Sequence, residues 1–466
     1  MKIKTVPSTW IENEGHRLDC GPYMSGAIET RELLQKLKVP KDRLQDLTQE
    51  GINGIINPGR ITRNWVNNPE YGYPFLSSTD ILQADLSYVS YIAKSVAKIN
   101  SKLLIKENWT LITRSGTIGR MAYARSDMHG MACTEDVLRV IPDQNKILPG
   151  YLYAYLSTRF GVPLVISGTY GSIITHLEPN HIADLPVPRL GEVEQQTHEL
   201  IQQAADLHVE ALALRKQAAD LLNSICNFPE KLAFGARNFA FSSASSADVL
   251  KRLDATYHNP VAQEAEKLVE NAKGITLAEA DIKGFESNRL KQVFVDPGYG
   301  TPFITSGGIF NKTITPERYL KNQLLGEDES WRINENDTLI ARSGQVGGII
   351  GRGVWADKRF DGFAASPHIL RIRSQNLSFP PGYVYTFLCL TDVGYQLLAR
   401  TAAGSSIPFL PLDSVLSIKI PQTPSIQQRN QIDQLIKESG NLLLKSQELE
   451  ATAVSLVERT IEEGGQ

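Results

Sequence analysis

Leucines recur every seventh residue at Leu200, Leu207, Leu214 and Leu221, with Ala204, Ala211 and Ala218 at the second position of the repeat and Ile225 closing the run. A heptad of this kind marks a long helix whose seam packs on another helix. Residues 192–225 contain neither proline nor glycine, so one uninterrupted helix is expected there. The pattern returns in residues 425–461, where Leu435, Leu442, Leu449 and Leu456 oppose Ser439, Ser446, Ala453 and Thr460, each leucine 235 residues after its counterpart. Small residues opposite leucines let two helices approach closely. The expectation is that the two helices pack on each other within one chain; pairing between chains is the alternative. At 1.5 Å per residue, 34 residues make a helix about 50 Å long.

Outside these stretches the pattern shortens. Runs of β-branched and aromatic residues such as 110–113 and 137–141, broken by glycine and proline, predict strands separated by turns. The chain also matches itself. Tyr71-Gly72-Tyr73-Pro74-Phe75-Leu76 returns as Tyr299-Gly300-Thr301-Pro302-Phe303-Ile304, and Thr110 to Gly116 returns as Thr338 to Gly344, both 228 residues later. Leu138-Arg139-Val140, Pro149-Gly150-Tyr151 and Leu185-Pro186-Val187-Pro188 return as Leu370-Arg371-Ile372, Pro381-Gly382-Tyr383 and Ile418-Lys419-Ile420-Pro421, at offsets of 232 to 233. His16-Arg17-Leu18-Asp19 returns as Lys251-Arg252-Leu253-Asp254. A collinear series of this kind is a duplication.

The resulting organisation is a strand-rich domain over 1–190, a helical region over 191–235, a second strand-rich domain over 236–423 and a second helical region over 424–466. The expected fold class is α+β: two strand-rich domains in a pseudo-twofold arrangement, separated by an antiparallel pair of long coiled-coil helices. That symmetry is the one by which DNA-binding dimers meet half-sites roughly 34 Å apart.

Composition is that of a folded protein, with 42% hydrophobic and 21% charged residues over 466 positions. No apolar run reaches the roughly 20 residues of a membrane span, so a cytoplasmic protein is expected. The four cysteines, Cys20, Cys133, Cys226 and Cys389, lack the spacing of a zinc site or a disulfide framework and are expected as buried free thiols. The net charge is only −3, but it is segregated: residues 192–225 carry −4 and 425–466 carry −3, leaving +4 for the rest. Basic residues able to meet phosphates include Arg60, Arg63, Arg114, Arg120 and Arg125 in the first half, and Arg289, Lys291, Arg342, Arg352, Lys358 and Arg359 in the second. The small surplus makes affinity dependent on a partner.

Enzyme chemistry finds little support. Asn68-Pro69-Glu70-Tyr71 and Asp296-Pro297-Gly298-Tyr299 approach the Asp/Asn-Pro-Pro-Tyr loop of amino-methyltransferases but lack the second proline, and no glycine-rich strand-turn-helix precedes them; a turn is the simpler reading. No Gly-x-x-x-x-Gly-Lys-Ser/Thr loop is present, and the eight histidines form no metal-ligand spacing.

With the duplication and its helices in view, the chain resembles the specificity (S) subunits of type I restriction-modification systems. The resemblance covers the whole chain. It rests on Ser115-Gly116-Thr117-Ile118-Gly119-Arg120, the approach from Ser172 to Pro186-Val187-Pro188, and Glu194-Gln195-Gln196, with second copies at Ser343-Gly344-Gln345-Val346-Gly347, Gly404-Ser405-Ser406, Ile418-Lys419-Ile420-Pro421 and Gln427-Gln428. Ile426 replaces Glu194 at the second helix start. The resemblance implies that each strand-rich domain is a target-recognition domain reading a short half-site of double-stranded DNA, and that the helices fix an unspecified spacer. It further implies two methyltransferase (modification) subunits and restriction subunits as partners. S-adenosylmethionine and ATP would be bound by those partners and not by this chain.

The candidate DNA contacts are the basic residues named above together with the hydroxyl-rich loops after the paired strands, Ser77-Ser78-Thr79 and Thr305-Ser306. To these are added the turn residues Ser115, Thr117, Ser343 and Gln345, and the glycine-flanked Tyr170, Ser172, Ser405 and Ser406. Capping or turn formation is the alternative for every hydroxyl in the set. The two halves differ at these sites, which implies an asymmetric target. A helical adaptor that joins proteins without reading DNA is the alternative function.

Overall fold

The computed structural model describes residues 3–13, 16, 20–167, 176–232, 241–288, 291–325, 329–404 and 406–464. The chain folds as two compact units, one of residues 1–209 with 445–466 and the other of residues 210–444. Each long helix therefore contributes one part to each unit.

In the first unit, Ile55–Ile56, Val137–Val140, Thr110–Thr113 and Met121–Tyr123 form a four-stranded sheet in that order, antiparallel throughout. Both central strands are buried along their whole length. Side chains alternate between the two faces of a strand, and the cores follow that alternation. Ile112 and Leu138 join the cluster built around the helix Pro149–Ser157, whereas Leu111 and Val137 join Leu76, Ala122 and Cys133 on the opposite face. A second sheet has the order Trp65–Val66, Tyr91–Ala93, Gly72–Leu76, Ala132–Cys133, its last pair parallel. A two-stranded ribbon, Lys41–Arg43 with Pro186–Pro188, brings the chain back toward the long helix.

The second unit repeats this topology strand for strand. Its sheets are Ile282–Phe285, Ile369–Ser374, Thr338–Ala341, Gly353–Trp355; then Phe294–Val295, Arg318–Lys321, Gly300–Ile304, Ala364–Ala365; and the ribbon Ile275–Thr276 with Lys419–Ile420. Leu339 and Ile340 again divide between two cores, as do Ile369 and Leu370. The duplication read from the sequence is thus a duplication of fold.

The repeated Pro-Gly-Tyr segment opens a short helix, Pro149–Ser157 in the first unit and Pro381–Tyr385 in the second, and seats it on a long helix. The Gly150 N–H donates to His198 Nδ1 at 3.2 Å and the Gly382 N–H to Asp433 Oδ1 at 2.7 Å. A β-carbon would stand 2.9 Å from His198 Cα in the first copy and 2.8 Å from Asp433 Cα in the second, so only glycine lets the backbones come this close. The following tyrosines donate to the carbonyls of Pro188 and Pro421, locking the end of each ribbon.

The long helices span Glu192–Cys226 and Ile426–Glu462. Their buried line differs from the leucine-centred expectation. It runs through Ile201, Ala204, His208, Ala211, Arg215, Ala218 and Leu222 on the first helix, and through Ile432, Ile436, Ser439, Leu443, Ser446, Ala453 and Val457 on the second. The small residues do occupy one seam position. The other lies one residue after each leucine, and Leu200, Leu207, Leu214, Leu221, Leu435, Leu442, Leu449 and Leu456 flank it half-buried. The reason is that the helices also carry the domains: Leu200 packs with the first core, and Leu221 and Leu435 with the second.

Polar groups are satisfied inside the seam. In the first unit the Ser446 hydroxyl donates to the Ala204 carbonyl at 2.6 Å, and His208 Nε2 bonds the Ala84 carbonyl at 2.6 Å. In the second, Arg215 Nε donates to Ser439 Oγ at 3.0 Å.

The second helix has a clear start despite Ile426. Ser425 Oγ accepts from the Gln428 N–H at 3.3 Å and Gln428 Oε1 accepts from the Ser425 N–H at 2.9 Å, a capping box. Among the described residues no helix is long and apolar enough to cross a membrane. Cys133, Cys226 and Cys389 are buried free thiols, as expected, but Cys20 is exposed.

Candidate nucleic-acid interface

One corner of the first unit collects several of the sequence candidates. The strand ending at Leu76 passes its carbonyl to the Thr134 N–H at 2.9 Å. Arg63 Nη2 donates to Thr134 Oγ1 at 3.1 Å and lies 3.4 Å from Glu135, with its guanidinium 5.4 Å from the Phe75 ring. The Ser-Gly turn joins from the other side: the Arg114 N–H donates to the Asp136 carbonyl at 2.8 Å and Ser115 Oγ to Asp136 Oδ1 at 2.6 Å. The corner 134–136 is therefore the hub on which the loop after Leu76, the Arg63 segment and the Ser115 turn converge. Sequence reasoning missed Thr134, Glu135 and Asp136. Their one signal was the position of 134–136 just before the repeated Leu138-Arg139-Val140.

The second unit builds the same hub from Ser366, Pro367 and His368. The Ser366 N–H donates to the Ile304 carbonyl at 3.0 Å and the Arg342 N–H to the His368 carbonyl at 2.8 Å, while Ser343 Oγ and His368 Nδ1 share a hydrogen bond of 3.1 Å. Beneath the first hub lies a fully buried arginine, Arg139, which donates to the carbonyls of Cys133, Thr134 and Val137. Arg371, its repeat, donates to the carbonyls of Ser330 and Arg332. Burial lowers the Arg139 pKa from its ordinary value.

The turns owe their shape to glycine. Gly116 and Gly119 have φ of 71° and 81°, and Gly347 has 84°, a region that side-chain-bearing residues rarely enter. Thr113 Oγ1 bridges the first turn, donating to the Thr117 carbonyl at 2.6 Å and accepting from the Arg120 N–H at 2.9 Å.

The remaining candidates sort by exposure. Arg60, Arg63, Thr79, Thr117, Arg120, Lys291, Gln345, Lys358 and Ser406 are exposed, and Ser78 and Ser306 are half-buried. Arg114 and Arg342 have side chains only 14% and 15% exposed and are held in ion pairs with Glu178 and Glu286. They fix the turn from below rather than offering a charge outward. Burial alone would raise the Glu178 pKa, but hydrogen bonds from Arg114 and Asn57 and the Arg114 charge bring it below the ordinary 4.5. Arg125 is 2% exposed and paired with Asp127 at 3.0 Å, and Arg359 is paired with Asp357 at 2.8 Å, so both are structural.

Ser77 and Thr305 are committed to their own turns. Ser77 exchanges hydrogen bonds with Asp80 at 2.8 and 3.2 Å; Thr305 Oγ1 donates to Glu317 at 2.7 Å and accepts from the Gly308 N–H at 3.3 Å. Tyr170, Ser172, Arg289 and Ser405 lie outside the described residues, as do Arg17, Leu18 and Asp19 of the first repeat. Asn68 caps a single turn, accepting from the Glu70 N–H at 2.9 Å. Among the described residues no group of three His, Cys, Asp or Glu side chains gathers as a metal site.

No family model matches the chain. Among solved structures, the S subunit of a type I restriction-modification system from M. genitalium aligns with 92% of this chain and 96% of its own, at 12% identity and a TM-score of 0.37. The HsdS subunit from Thermoanaerobacter tengcongensis aligns with 91% and 96%, at 12% identity and a TM-score of 0.27. These scores leave the folds of the two units to be read from this chain itself. In sequence, over a stretch covering 42% of this chain and 41% of the length of that relative, the chain is 22% identical to the type I restriction enzyme EcoBI specificity subunit of Escherichia coli.

Proposed function

We propose that this chain is the DNA sequence-specificity subunit of a type I restriction-modification complex, which recognises an asymmetric bipartite target and directs partner subunits to it. The observation that carries the reading is the pair of hubs. Two copies of one fold anchor their Ser-Gly turns with the same backbone hydrogen bonds, yet the second turn is longer, closing at Arg352 where the first closes at Arg120, and the tips present different side chains, Asp136 and His368. One scaffold used twice with different tips suits a target of two unlike half-sites. The sequence likeness to a specificity subunit supports the same reading.

In this proposal the chain is non-catalytic and acts in the cytoplasm. Two methyltransferase subunits bring S-adenosylmethionine and restriction subunits bring ATP-driven cleavage. The exposed Arg60, Arg63 and Arg120, and Lys291 and Lys358 in the other half, supply phosphate contacts. Arg63 is the exposed member of its pair with Glu135 and lies 3.4 Å from it, a long contact that leaves the guanidinium able to turn to a phosphate.

The test is to map modified bases in cells with and without this chain. Loss of methylation at one bipartite motif on deletion is the expected result. An unchanged methylation map would leave the adaptor reading in its place.

A further inference from the structure

We infer that the tip pairs Ser115–Asp136 and Ser343–His368 are specificity-determining contacts of opposite polarity, the first reading a base amino group and the second a base acceptor. This deepens the proposed function and rests on it.

The two hubs agree wherever they are scaffold. Arg114 and Arg342 donate their N–H groups to the carbonyls of residues 136 and 368, both at 2.8 Å; Thr134 and Ser366 receive the strand carbonyls of Leu76 and Ile304; each guanidinium is buried against a glutamate. They part at the tip. In the first, the serine hydroxyl is held by a carboxylate at 2.6 Å; in the second, by an imidazole at 3.1 Å. Asp136 is half-buried and His368 exposed, so both are reachable from solvent. Two heads on one scaffold read different bases directly where their contacting atoms differ.

The chemistry sets what each tip takes. A carboxylate only accepts hydrogen bonds and has about four lone-pair sites, so Asp136 keeps capacity after accepting the hydrogen bond from the Ser115 hydroxyl. It matches an amino group on a major-groove edge, N6 of adenine or N4 of cytosine. When the Ser343 hydroxyl donates to His368 Nδ1, the ring N–H sits on Nε2 and is free to donate outward. That donor matches N7 of a purine or O6 of guanine.

The experiment exchanges the tips in the full chain, co-expressed with its methyltransferase subunits, and maps methylated motifs. Asp136→His is expected to change one base of one half-site and His368→Asp one base of the other, the unaltered half staying as it was. The milder Asp136→Asn and His368→Asn are expected to relax discrimination at those same bases by about fivefold or more, and they serve if an exchange variant melts early. If methylation is lost altogether, binding of the purified complex to oligonucleotides bearing each base in turn decides. Recovery on one substituted base supports the inference. Loss on all of them, a wild-type motif kept by the variants, or both exchanges altering the same half-site would overturn it. A wild-type chain that directs no bipartite methylation refutes the proposed function itself, which is a separate outcome.

Discussion

Replacing Ile201 by alanine is expected to cost far more than replacing its neighbour Leu200, although the leucine carries the heptad. Ile201 is 2% exposed and lies in the core of the first unit together with Ala453 and Val457, whereas Leu200 is half-buried at the edge of the same cluster. Truncating a fully buried isoleucine loses its transfer free energy and leaves a cavity, together about 2–5 kcal/mol. The half-exposed leucine forfeits roughly 1 kcal/mol, part of it returned by the better helix propensity of alanine. With a urea slope of about 3 kcal/mol per molar for a unit of this size, Ile201→Ala moves its midpoint down by roughly 1 M and Leu200→Ala by about a third of that. The pair Ile436 and Leu435 repeats the contrast in the second unit. Far-UV circular dichroism during urea titration follows the helices directly. A Leu200→Ala variant as unstable as Ile201→Ala would return the leucines to the seam and refute the assignment.

Gly382→Val forces a β-carbon to within 2.8 Å of Asp433 Cα and should cost about 1–3 kcal/mol by overpacking, read as a lowered melting temperature. Arg139→Met removes a buried donor from the carbonyls of Cys133, Thr134 and Val137, of which Thr134 keeps the Val137 N–H at 3.3 Å. Even after the relief of an unburied cation it should destabilise by about 2 kcal/mol, and an unchanged urea midpoint would count against the clamp. Because the folded Glu178 carboxyl sits below its ordinary 4.5, the Arg114 pair contributes stability that is complete above that pH and is lost as pH falls through the folded value. Hydrogen exchange corrected for intrinsic rates should therefore show the Leu177 amide, bonded to the Arg114 carbonyl at 3.1 Å, losing protection on acidification, and Glu178→Gln abolishing that dependence. Insertion of Leu-Gln-Ala-Ala into either long helix alone is expected to change or abolish the spacer of the methylated motif, and an unchanged motif would argue against the helices as its ruler.

The sequence alone determined the duplication, the two long helices and the division into strand-rich and helical regions, because each is written in local periodicity or in self-similarity. It also carried Pro-Gly-Tyr as a repeat, though not its use in bringing a short helix into close contact with a long one. Only the tertiary structure decided which stripe of each helix is buried. Seam residues such as Ile201 and Val457 also belong to a domain core, and the helical repeat of Leu200 does not reveal what packs on either side of it. The same holds for the arginines. Arg60 and Arg114 are indistinguishable as letters, and their difference lies in Glu178, 64 residues from Arg114 along the chain and in contact with it only once the turn and the segment after it are folded together. The hub at 134–136 was hidden for the same reason: its partners Arg63, Leu76 and Ser115 come from the loop before Trp65–Val66, the end of the strand Gly72–Leu76 and the turn after Thr110–Thr113, and the parallel pairing of Gly72–Leu76 with Ala132–Cys133 sets the corner on which they meet.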